Sequence, residues 1–140
     1  VLRSELKNLV EQNFGAVDRE DFLALSRTLA HDCTFRVETH GVSLHGINHI
    51  AQMFERLWAN HASVKHKDFT HVPAGELGLI ASRFLVENTE HDGSKTYKSN
   101  CNFFEVGDNG FRKINSKILK PFRKKNNNCF RANKNKGITP

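Results

Sequence analysis

Residues 44–66 read LHGINHIAQMFERLWANHASVKH. Gly46 interrupts a short strand-like run. After it Ile47, Ile50, Ala51, Phe54, Leu57 and Trp58 recur at the spacing that places them on one face of a helix. Beyond Ala62 the period falls to two, so Val64 and His66 open a strand. A helix face carrying the chain's only tryptophan thus leads directly into a strand carrying a histidine. Two readings of that junction stand side by side: the wall of a small-molecule pocket, or part of a closed aromatic core.

Upstream, LRSELKNLVEQNFGAV repeats Leu2, Leu6, Leu9, Val10, Phe14 and Val17 at helical spacing. Asp18 then reads as the cap of a second helix, DREDFLALSRTLA, which buries Phe22, Leu25 and Leu29. CTFRVE (33–38) alternates as a half-buried strand, turns at Thr39–Gly41 and returns as VSLH. Downstream, VKHKDFTHV, LGLIASRFLVEN, TYKSNCNFFEV and FRKINSKIL read as four antiparallel strands joined by PAGE, EHDGS and GDNG. The order predicts one α+β domain over residues 1–119, with three helices on one face of a curved, mainly antiparallel sheet. Residues 120–140, KPFRKKNNNCFRANKNKGITP, lose all periodicity and read as a mobile tail.

Composition narrows the function classes. A chain of 140 residues with 38% hydrophobic residues can bury one core, and no apolar run approaches the roughly 18 residues of a membrane helix. No secretory signal is visible, and three cysteines at wide spacing give neither a disulfide framework nor a CxxC pair, so a reducing, cytoplasmic setting is expected. The formal charge is +6, yet the tail alone holds seven basic residues and no acid, leaving residues 1–119 at −1. A nucleic-acid partner is therefore not expected. A tail-borne adaptor, with Phe122 and Phe130 stacking on bases, is the reading that the basic tail leaves open.

The order of elements, with the pieces LAHDCTFRV, LHGINHIAQMF, VKHKDF and GDNGFRKI, resembles the nuclear-transport-factor-2-like superfamily, in particular its SnoaL-like branch. The resemblance implies a cone-shaped α+β barrel of cystatin-like layout, whose bent sheet wraps the long helix around a mostly apolar cavity. It also implies a homodimer through the outer sheet face, where Leu79, Ala81, Arg83 and Leu85 are expected. Such folds include ketosteroid isomerase, scytalone dehydratase, polyketide cyclases and binding modules without catalysis, so the site must choose among them.

Alternation places Phe35, Val37, Ser82, Phe84, Val86, Tyr97, Ser99, Cys101, Phe103, Ile114, Ser116 and Ile118 on the inner face, joined by Phe54 and Trp58 from the helix. Of these, Phe35, Val37, Phe54, Trp58, Phe84, Tyr97, Ser99, Cys101 and Ser116 are the candidate contacts for an apolar or aromatic small molecule. Ketosteroid isomerase sets an aspartate base against a tyrosine and a protonated aspartate. Carried over, those positions fall at Val37, near Asn13, and at Cys101 or Asn102, and none matches. Glu38 is one residue from the base position, which turns it to the opposite face.

Scytalone dehydratase has a histidine where this chain has His66. With His66 inward, Asp68 lies two residues on, on the same face, and could orient the imidazole as a general acid or base. The other strand phase, with Lys67, Phe69 and His71 inward, remains open. The five-residue spacing of His61, His66 and His71 alternates faces and lacks an acidic ligand, so no metal site is expected. Cys101 has no base near it in sequence and reads as a small core residue. The expected function is small-molecule binding, extending to cofactor-independent lyase, isomerase or cyclase chemistry through His66. A non-catalytic ligand-binding or protein-interaction module is the alternative.

Overall fold

The computed structural model describes residues 1–122, with side chains described through Leu119. The elements are α1 (Arg3–Asp18), α2 (Phe22–Ser26), β1 (Leu29–Val37), β2 (Val42–His45), α3 (Ile47–Asn60), β3 (Ser63–Ala74), β4 (Leu79–Thr89), β5 (Lys95–Gly107) and β6 (Gly110–Phe122). The six strands form one sheet in the order β2-β1-β6-β5-β4-β3. All pairings are antiparallel except β1 with β6, which is parallel. The three helices lie on the concave side of this curved sheet, the expected α+β cone. Among the described residues no helix is long and apolar enough to cross a membrane. Strand β6 runs three residues past the expected boundary at 119, and the expected tail beyond it lies outside the described residues.

Two further boundaries differ from the sequence reading. Asp18 is the last residue of α1, and Asp21 caps the short α2 by accepting from the Ala24 N–H at 3.0 Å. The cause is a Schellman stop: Glu20 takes φ +56, its N–H donates to Val17 O at 3.1 Å, and the Asp21 N–H donates to Ala16 O at 2.9 Å. The chain then enters β1 at Leu29, earlier than CTFRVE suggests.

The α1 stripe of Leu6, Val10, Phe14 and Val17 is buried as expected, while Leu2 is 64% exposed. Phe14 is the contact between helix and sheet. Its ring lies 4.5 Å from Phe84, 5.4 Å from Phe69 and 6.0 Å from Phe104. From α3, Ile50 and Phe54 close the other side of the core.

The β5–β6 turn presses on the start of β1. Gly110 has φ +110, and a Cβ there would sit 2.6 Å from Thr28 O and 3.1 Å from the Leu29 carbonyl carbon. The adjacent Phe111 N–H donates to Thr28 O at 2.8 Å, so neither backbone can retreat without losing a bond. Gly110→Ala combines a strained φ with a backbone collision and is expected to lower stability by about 2 kcal/mol or more, read as a lower urea midpoint at unchanged m-value.

Candidate functional site

Strand β3 contains one extra residue. Lys67 pairs with Leu85 and Thr70 with Arg83, so two residues of β3 oppose Phe84 alone. This is a β-bulge, and Asp68 within it has φ +58. Below the bulge His66 lies opposite Val86; above it His71 lies opposite Ser82, and both partners are on the inner face of β4. Both proposed phases of the strand are therefore realised, one on each side of the bulge. His66, Phe69 and His71 all face the helices.

Asp68 does not orient His66. Its side chain is exposed and borders a groove of about 340 Å³ on the outer face with Thr70, Arg83, Leu85 and Ser99. The orienting carboxylate comes from the end of α1. Asp18 Oδ2 accepts the His66 backbone N–H at 2.9 Å, and Asp18 Oδ1 lies 2.6 Å from His66 Nδ1. A carboxylate offers only acceptors, so Nδ1 carries the proton and Nε2 is the nitrogen left for a ligand. The His66 side chain is 9% exposed and stacks on Phe14 at 4.5 Å. One residue earlier, Val17 O accepts the Trp58 Nε1–H at 2.9 Å, so the same helix end also holds α3.

His71 is bound at both nitrogens. Nδ1 meets Ser82 Oγ at 2.7 Å and Nε2 meets Glu11 Oε2 at 3.2 Å. It fastens α1 to the sheet and leaves no ring nitrogen for chemistry. Cys33 is equally unsuited: burial, with the nearby Asp32 charge, pushes its thiol up to about 12.

The register across β4 and β5 decides the remaining candidates. Ile80, Ser82 and Phe84 lie opposite Phe104, Asn102 and Asn100, and opposed residues share a face. The inner side of β5 is therefore Asn100, Asn102 and Phe104. Tyr97, Ser99, Cys101 and Phe103 are on the outer face, opposite Glu87, Leu85, Arg83 and Ala81, which overturns their expected inward placement. Phe35, Val37, Phe84 and Ser116 share the inner face, with Phe54 buried and Trp58 half-buried on α3. Glu38 turns outward, 3.0 Å from Arg36 Nε, and accepts from Asn115 Nδ2 at 3.2 Å. Asn13 donates to Thr28 Oγ1 at 2.8 Å, a core contact.

Sequence reading missed Asp18, assigned as a cap, and the inward asparagines. Asn88, Asn100 and Asn102 each bury an Oδ1 with no hydrogen-bond partner. For Asn100 and Asn102 the only signal was the polar half of the β5 alternation, which an apolar-interior rule assigns to solvent; Asn88 continues the inward series Ser82, Phe84, Val86 of β4.

The chain is similar to a candidate polyketide cyclase from Xanthomonas campestris, at 18% identity and TM-score 0.75 over 93% of this chain and 96% of that one. It is also similar to a candidate SnoaL-like polyketide cyclase from Shewanella denitrificans, at 13% identity and TM-score 0.72, covering 83% and 91%. A nuclear-transport-factor-2-like protein of unknown function from an Exiguobacterium species gives 18% identity and TM-score 0.68, covering 79% and 97%. The fold is the nuclear-transport-factor-2-like cone. No family model matches the sequence, and no curated protein does. In this cone, Asp18 and His66 join the last turn of α1 to β3, and the inner asparagines lie on the neighbouring strands.

The two aspartates separate cleanly by substitution. Asp18→Ala removes a charge-assisted bond and strands the His66 N–H groups, so it is expected to cost about 1–3 kcal/mol. Asp68→Asn, which removes the charge at an exposed position and keeps a residue type that tolerates the positive φ, is expected to stay within about 0.5 kcal/mol. Urea unfolding of both variants, with the His66 imidazole shifts followed by NMR, checks the assignment; equal losses would reject it.

Proposed function

We propose that the chain is a small-molecule-binding protein whose cone interior is walled by Phe35, Val37, Phe54, Trp58, Phe84 and Ser116, with His66 as its acid/base group. The observation that carries this reading is the bidentate hold of Asp18 on His66. With Nδ1–H donated to the carboxylate, the neutral ring presents a lone pair at Nε2. After it takes a proton, Asp18 faces the resulting imidazolium. No cofactor enters this reading. The chemistry it suits is abstraction and return of a proton on an aromatic or polyketide-like substrate, as a lyase, isomerase or cyclase. The similarity to candidate polyketide cyclases supports that choice. Use of the same interior for binding alone is the second reading.

A compound seated against α3 is expected to change Trp58 fluorescence, since Trp58 is the only indole. Across a panel of aromatic and polyketide-like compounds, any that the native chain converts should lose at least about 100-fold in kcat in His66→Ala, with affinity kept within roughly tenfold. Full activity in His66→Ala would leave a binding module. A Trp58 signal indifferent to the whole panel would favour the closed core.

The same proposal includes a homodimer through the outer sheet face. Leu79, Ala81, Arg83 and Leu85 lie there with Val72 and Phe103, which are 66% and 50% exposed. Cys33 and Cys101 are free thiols, which suits a reducing, cytoplasmic setting. Light scattering is expected to give twice the 16.0 kDa chain mass, falling to 16.0 kDa in Phe103→Glu. A native monomer at micromolar concentration would contradict it.

A further inference from the structure

The outer face of β3, β4 and β5 pairs its charges with one exception. Of the three carboxylates on these strands, Glu87 is held by Lys67 Nζ at 3.1 Å and Lys95 Nζ at 3.3 Å, and Glu105 by Arg112 Nε at 2.8 Å. Asp68, the third, has no cation in ion-pair contact among the described residues, and Arg83, the only arginine on these strands, has no carboxylate. Both side chains are exposed and border the same groove of about 340 Å³, yet they do not bridge each other. Apolar residues flank that groove along the strands. Leu85 lies on one side, and on the other Val72, Ala81 and Phe103 stand opposite one another across three strands, with Val72 66% and Phe103 50% exposed. Whatever covers this apolar surface also takes water from the two charges, so it must bring a cation to Asp68 and an anion to Arg83.

We propose that a second copy of this chain covers the groove, turned so that Asp68 of each protomer meets Arg83 of the other. This rests on the homodimer proposed above and places its axis. A two-fold interface is isologous: when one residue contacts a second across it, the second contacts the first. An axis running between one unpaired acid and one unpaired base therefore joins them twice, whereas two acids or two bases at those positions would repel. The set is self-complementary, which favours a copy of this chain over an unlike partner. The bulge supplies the acid. Asp68 takes φ +58, which Asp tolerates better than most residues, so the same inserted position that turns His66 and His71 inward leaves a carboxylate on the opposite face. A strand without it would offer Arg83 no acid to pair through the axis, since Glu87 and Glu105 are already taken.

The test is a charge swap between full chains. Arg83→Glu and Asp68→Lys are each studied alone and mixed in equal amounts, with the dimer dissociation constant measured by sedimentation equilibrium and the two chains told apart by native mass spectrometry. Each variant alone sets like charges against each other at both contacts and is expected to raise the dissociation constant by about tenfold or more. In the mixture Asp68 of the first chain meets Arg83 of the second, and the two introduced charges meet each other, so a heterodimer of native strength is expected. An Arg83→Glu chain that dimerises as well as the native one, or a mixture that forms no heterodimer, overturns the pairing and leaves the homodimer standing. A native monomer at micromolar concentration removes both. Should Asp68→Lys not fold at its positive φ, Arg83→Glu is compared with the double variant Arg83→Glu/Asp68→Asn, which deletes one of the two repelling carboxylates at each contact. The double variant is expected to regain about threefold or more in dimer affinity, and no gain overturns the pairing.

Discussion

One inserted residue in β3 governs how this molecule is put together. Without the bulge at Asp68, His66 and His71 would point to opposite faces, because five positions along a regular strand reverse the side chain. With it, both meet α1, where Glu11 and Asp18 stand two helical turns apart and take one imidazole each. Phe14 sits between them and stacks on His66, while Phe69 stacks on His71. The seating of the first helix on the sheet and the assembly of the site are thus a single event.

That seam accepts two placements that are locally unfavourable. A carboxylate in the last turn of a helix opposes the negative end of the helix dipole. A non-glycine residue with positive φ carries backbone strain. Asp18 and Asp68 show these two features at either side of His66. The stacked aromatic rings and the charge-assisted bonds to the histidines offset them.

Much of this architecture is legible in the residues. The α3 stripe, the turns PAGE and GDNG, and the phases of β4 and β6 follow from periodicity, since there the buried half of each pattern is the apolar half. In β5 the same rule inverts. Asn100 and Asn102 are the polar half and face inward, while Phe103 is 50% exposed and its neighbour Phe104 is fully buried. Alternation presumes a dry interior, so it fails where the interior is polar, and that failure marks the strand with the unpaired acceptors. The bulge was invisible for another reason: KHKDFTH contains no glycine, and both phases of it look equally amphipathic. Asp18 was misread because a helix cap and a helix end use the same residue type, and only the position of Glu20 in backbone space separates them.

The parallel pairing of β1 with β6 has a consequence for how the chain is made. Thr39, just beyond β1, receives the Ile118 N–H on its hydroxyl across 79 positions of sequence. During synthesis the β1–β2 hairpin and the helix after it emerge long before the strand they must join. Antiparallel neighbours β3 to β5 can zip as they appear, but the N-terminal half waits, with Phe35 and Phe54 uncovered, until residues 110–122 have left the ribosome. The last strand is therefore the latch that joins the two halves of the sheet, and a ribosome that stalls before it leaves a hydrophobic hairpin without a sheet.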